Sequence, residues 1–174
     1  MCVLGFLVKV PIFGFHQWLP LVHVEAPIVG SIVLAGLLIK IGVFGFIVLL
    51  YLGGSYQEGL FGLVSVGILV GLVKMLIRTD LKVVIAYSSI VHMGILLLGL
   101  ISCRLAGVVF GVVVMVFHRF VASSLFYFVG LVSKVNFGRR LFILKGVLVW
   151  GRGIMVVVSC LFILNFRFPL RGSF

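Results

Sequence analysis

The chain has 174 residues, of which 64% are hydrophobic and 10% charged, and its mean hydropathy is +1.45. A soluble domain of that size has too little interior to hide so much apolar surface. The net charge of +11, from 14 Lys and Arg against three acids, would suggest nucleic acid in a soluble protein. Here the basic residues are scattered between long apolar runs, so no nucleic-acid partner is expected.

A bilayer supplies the missing apolar solvent, and a helix needs about 20 mostly apolar residues to cross it. Strand-like alternation is absent, which excludes a lipid-facing barrel. We therefore expect an all-α polytopic helix bundle of about six spans, forming a single transmembrane domain over 1–174. Cys2, Cys103 and Cys160 are far apart and show no CxxC spacing, so neither a metal site nor a disulfide framework is expected. No basic leader or small-residue cleavage site precedes the first apolar run, and a cleaved signal peptide is not expected.

In chain order, residues 1–20 read as one apolar helix interrupted at Pro11, which removes a backbone hydrogen bond near Lys9. A turn through Pro20 and Pro27 leads to a second span over about 28–51. Gly53, Gly54 and the polar Ser55, Tyr56, Gln57 and Glu58 make a short loop. A third span over about 59–77 meets the charged turn from Arg78 to Lys82. The fourth covers about 83–102, the fifth about 106–133 and the sixth about 141–165, and the tail after it is marked by Pro169.

Loops 17–27, 78–82 and 134–140 would lie on one side and carry Arg78, Lys82, Lys134, Arg139 and Arg140. The opposite loops, 52–58 and 103–105, carry only Arg104. The positive-inside rule puts the first set in the matrix or cytoplasm, where basic residues also meet anionic lipid headgroups.

The runs FLVKVP at 6–11, GFHQWLP at 14–20, HVEAP at 23–27 and GSIVLAGLLIKIG at 30–42 follow one another closely. TDLKVVIAYSS at 79–89, VHM at 91–93, and His118 followed by SSLF at 123–126 come later. In this order and spacing they resemble the antiporter-like membrane subunits of respiratory NADH–quinone oxidoreductase (complex I), chain 4 in particular. Cation/proton antiporter and membrane hydrogenase subunits share much of the pattern. The resemblance runs from Met1 to about residue 165 and implies the seventh to twelfth of about fourteen spans. It also implies that the glutamate pairing with the seventh-span lysine, and the ionisable residue of the twelfth span, lie outside this chain. Leu21, Arg78 and Lys74 depart from the family pattern, as do Arg119, Arg167 and Arg171.

Four residues are candidates for proton transfer. An ammonium near mid-membrane costs at least about 2.5–3.5 kcal/mol. Lys9 sits in an apolar run beside a helix break whose free backbone groups can hold water, although a snorkelling anchor would look the same. Lys40 lies about a dozen residues into its span, too deep to snorkel easily, and the resemblance makes it the central lysine between two half-channels. A structural lysine bonded to backbone carbonyls is the competing reading. His92 and His118 are single imidazoles in apolar spans, able to accept and donate protons or simply to pack. The resemblance favours a relay role, for His118 above His92.

Glu25 reads as a cap for the following helix, where a carboxylate meets the positive end of the dipole, or else as a proton entry point. Asp80 and Lys82 read as a surface-turn ion pair. His16 and His23 read as packing residues near the same surface, and Lys74 as a snorkelling side chain.

No nucleotide-binding glycine motif, flavin site or iron–sulfur cysteine set is present. The resemblance accordingly implies that NADH, FMN, iron–sulfur clusters and ubiquinone belong to other subunits of the complex. It implies other membrane-arm subunits as partners. The missing spans are expected either on a separate chain, since each helix satisfies its own backbone, or to have been lost with compensation. The expected function is proton translocation coupled to NADH oxidation and ubiquinone reduction. A cation/proton antiporter subunit and a membrane-arm scaffold that no longer pumps are the alternatives. The wealth of Phe, Val, Gly, Leu and Trp suits a gene strand rich in G and T, which points to an organellar genome and a mitochondrial inner membrane. A bacterial plasma membrane is the alternative.

Overall fold

The computed structural model describes residues 2–51, 57–102, 105–135 and 152–171. All secondary structure in those residues is helical, apart from a single bridge residue at Asp80. The helices are α1 Cys2–Lys9, α2 Trp18–Glu25, α3 Ile28–Val33, α4 Ile39–Tyr51, α5 Gln57–Ile77, α6 Leu81–Ile101, α7 Leu105–Val135 and α8 Arg152–Arg171. Four stretches are long and apolar enough to cross a membrane: Ile28–Val48, Gly59–Ile77, Leu81–Ile101 and Ala106–Lys134. These match the second to fifth expected spans within a few residues. The first half of the sixth expected span and most of the loop 134–140 lie outside the described residues. Its second half belongs to α8, which ends two residues past Pro169.

The interruption of the first apolar run is wider than one proline. The last α1 bond, from the Val10 amide to the Phe6 carbonyl at 2.8 Å, is followed by turns up to Gln17. Gly14 sits there at φ 95°, a left-handed conformation open to glycine because it lacks a Cβ. The break strands the Val8 carbonyl, and the Trp18 indole donates to it at 3.1 Å. One of the free backbone groups expected to hold water is therefore occupied by a side chain. Pro20 lies within α2, not in a turn: it falls in the first helical turn, where a missing amide costs nothing.

The second span is continuous but not uniform. Between α3 and α4, Leu34–Leu38 forms a π-helical segment. The extra residue in that turn re-aims everything after it, and Lys40 is the second residue beyond.

Helix α6 is the centre of the bundle. Of its span 78% is buried, against 17% for α5, because α5, α7 and α2 all pack on it. Around it, Ile39, Val43, Ile90, Met93, Leu96, Leu97 and Leu100 make one apolar core. A second core, with Ala35, Leu81, Ile85, Leu125, Phe126 and Val129, joins the α3–α4 region to α7. Helix α1 lies against α4. A Cβ on Gly42 would stand 2.9 Å from that of Lys9, and one on Gly45 would run into the Phe6 ring. The two glycines thus allow a backbone approach that no larger residue permits.

Candidate functional site

Polar side chains inside such a bundle must bond one another, because lipid offers nothing in exchange for water. Lys40 near the start of α4, His92 on α6 and His118 on α7 are all buried, with exposures of 9%, 6% and 4%. The Lys40 Nζ is 2.9 Å from the His118 Nδ1. The His118 and His92 rings stand 5.2 Å apart between centroids, tilted by 55°. The His92 Nε2 is 3.0 Å from the Asn165 Oδ1 on α8. The Asn165 Nδ2 donates to the Ser88 Oγ at 3.1 Å, and that hydroxyl donates to the Ile85 carbonyl at 2.7 Å.

A polar string therefore runs from α4 through α7 and α6 to α8 and back to α6, joined by hydrogen bonds except between His118 and His92, whose rings are neighbours. Its middle holds a small cavity of about 10 Å³ lined by His92, Val114, Phe117, His118, Val121, Leu164 and Asn165. About one water molecule needs that much room. The His118 Nε2 is buried and has no partner among the described residues, and His118 lines this cavity.

The three expected residues Lys40, His92 and His118 thus come together. Lys9 does not join them. It is exposed at the end of α1, with its ammonium 6.0 Å from the centre of the Phe6 ring. Asn165 and Ser88 complete the string and were not singled out from the sequence. Small polar residues are common in spans, and their pairing joins positions 77 apart along the chain.

Glu25 is exposed and ends α2, while the following helix is capped by Pro27 without a side-chain bond. The helix-cap expectation is therefore corrected: Pro27 occupies the position, and Glu25 stands at the C-terminal end of its own helix. Glu25 instead lines a surface cavity of about 360 Å³ with Gln17, Lys74, Arg78 and Tyr87. The surface reading of Lys82 is also corrected. Its side chain is 3% exposed, and its ammonium donates to the Ala26 carbonyl at 3.0 Å, tying α6 to the turn after α2. The amine found a stranded carbonyl that the sequence could not locate.

His23 and His16 are buried and stacked on Phe126 and Phe13, at 4.5 and 5.6 Å between ring centres. Burial, and after it the Lys82 charge, pushes the His23 imidazole from its ordinary 6.5 down to about 4. It is neutral at physiological pH and stands apart from the string. Arg119, next to His118 in the sequence, is exposed.

Only three acids exist in the chain, Glu25, Glu58 and Asp80. Glu25 and Asp80 are exposed, and Glu58 stands in the first turn of α5. The string is accordingly a set of bases with no carboxylate among them.

A polytopic bundle whose interior carries a Lys–His–His array is a membrane protein built around buried bases. The chain belongs to the family described as NADH:quinone oxidoreductase/Mrp antiporter, TM, whose model matches residues 1–174. It is 40% identical over 149 residues to NADH-ubiquinone oxidoreductase chain 4 of Mytilus edulis, covering 83% of this chain and 34% of that protein. Against the chain 4 of Acanthamoeba castellanii the identity is 39% over 179 residues, 98% of this chain and 35% of the relative. For Ceratitis capitata it is 41% over 152 residues, with 84% and 34% covered. The chain spans about a third of the length of these curated relatives.

Proposed function

We propose that this chain is a proton-translocating segment of the membrane arm of respiratory NADH–quinone oxidoreductase, in which Lys40, His118 and His92 pass protons. The observation that carries this reading is the buried 2.9 Å contact between the Lys40 Nζ and the His118 Nδ1. An ammonium there donates one N–H to the imidazole. Transfer of that proton leaves a neutral amine on Lys40 and an imidazolium on His118, so one positive charge moves from α4 to α7. The His118 Nε2–H then faces the cavity, and a single water there can hand a proton to the neighbouring His92.

Lys9, at the end of α1, is the fourth member of the relay in this reading. Glu25, in its surface cavity, is the entry point for protons in this reading. NADH, FMN, the iron–sulfur clusters and ubiquinone belong to other subunits, and the chain itself holds no redox group. Its partners are the other membrane-arm subunits and anionic lipids at the basic loops. The eukaryotic origin of the relatives supports a mitochondrial inner membrane.

The family description itself includes an antiporter, which supports a second reading as a cation/proton antiporter subunit. A membrane-arm scaffold without transport is the third. The test is Lys40→Met in the native membrane, reading proton translocation per NADH oxidised together with the subunits that co-purify. Loss of translocation in a complex with flavin and iron–sulfur subunits supports the proposal. Undiminished translocation leaves a scaffold, and co-purification with antiporter subunits leaves the second reading.

A further inference from the structure

Hydrogen-bond bookkeeping fixes more of the string than its heavy atoms do. The Ser88 hydroxyl has one proton, and it is committed to the Ile85 carbonyl at 2.7 Å. The Ser88 Oγ can therefore only accept from Asn165, at 3.1 Å. That sets the Asn165 amide, with its NH₂ towards Ser88 and its carbonyl oxygen towards His92. A carbonyl oxygen cannot donate, so at 3.0 Å the His92 Nε2 must carry the proton. In neutral His92 the bare nitrogen is then Nδ1.

We propose that Asn165 is a positioning residue that, braced by Ser88, holds His92 in its Nε2–H tautomer and leaves Nδ1 as the only nitrogen able to take up a proton. The use of this tautomer rests on the relay proposed above, but its existence does not. The chemistry follows from the amide. When Nδ1 binds a proton, the Nε2–H bond to Asn165 becomes charge-assisted and shortens. The amide oxygen is too weak a base to take the Nε2 proton, and its NH₂ is too weak an acid to replace it. A proton arriving on Nδ1 must therefore leave by Nδ1. His92 becomes a holding site at the α8 side of the string, not a through-conductor, until Asn165 moves away.

The experiment uses the full chain in lipid bilayers with ¹⁵N-labelled histidine, the His92 signal being assigned by its loss in His92→Gln. Nitrogen chemical shifts report which ring nitrogen is protonated. The expected result is neutral His92 protonated on Nε2, turning into a mixture of tautomers in Asn165→Leu. Ser88→Ala, which frees the amide to rotate without removing it, gives the same mixing and covers the case in which Asn165→Leu does not fold. Protonation of native His92 on Nδ1, or an unchanged tautomer in the variants, overturns the inference and leaves the relay standing. Normal translocation in Lys40→Met sinks the relay and leaves the tautomer untouched.

Discussion

Lys9 and Lys40 look alike in the sequence and are unlike in the fold. Each stands in an apolar run beside a helical irregularity, Lys9 two residues before Pro11 and Lys40 two residues after the π-helical segment. Lys40 is turned inward onto His118, whereas Lys9 ends a short helix and is exposed, with an aromatic ring as its neighbour. An irregularity thus permits a buried charge but does not supply its partner. The partner comes from another helix, here α7, whereas among the described residues α1 packs mainly on α4.

Four changes test that contrast, taken here from the largest expected effect downward. Lys40→Met should cut proton translocation roughly tenfold or more, the scale of a lost acid–base group. It should leave thermal unfolding in detergent unchanged or raised, because an apolar residue of similar volume replaces a buried charge. A variant that unfolds but still pumps would reverse the assignment of Lys40.

His23 is one of two buried histidines outside the string, with His16, and pH is its probe. Its imidazole is held neutral in the fold, so its contribution is fully present above pH 6.5 and is lost as pH falls through about 4. The fall from 6.5 to about 4 corresponds to about 3 kcal/mol. His23→Gln should flatten the acid side of the stability profile over that window and leave translocation intact. An unaltered profile would mean that other groups govern the acid response.

Gly45→Ala places a methyl against the Phe6 ring and should cost about 1–3 kcal/mol by overpacking, read as a lower unfolding temperature. No loss would show that α1 is not fixed against α4. Lys9→Met should have the smallest effect on folding, within about 0.5 kcal/mol, as for other exposed positions. It should still lower translocation roughly severalfold if Lys9 belongs to the relay. An effect on folding as large as that of Gly45→Ala would place Lys9 in an enclosed contact.

Much of this architecture is legible in the sequence. Apolar runs bounded by Gly53–Gly54 and by Arg78–Lys82 fix the third and fourth spans, because length and hydropathy alone decide what crosses a bilayer. Lys40, His92 and His118 stand out because an ionisable group in such a run is costly enough to need a reason. Ser88 and Asn165 carry no such penalty and leave no mark in composition. Their significance lies in pairing across helices, which a linear reading cannot reach. The π-helical segment has no signature in LAGLL at 34–38 either. Glu25 and Lys82 were misplaced for a related cause: both assignments assumed that charges near a turn serve that turn. Yet Pro27 held the cap position, and the Ala26 carbonyl drew Lys82 inward.

The absence of a carboxylate from the string has an electrical meaning. A proton resting on Lys40, His118 or His92 is a net charge set within the low-dielectric slab, with no counter-ion among the described residues of the string. Such a charge feels the voltage across the membrane, which is worth about 2.3 kcal/mol per 100 mV for a full crossing. The string therefore behaves as one plate of a capacitor, and the membrane potential biases how often it is charged.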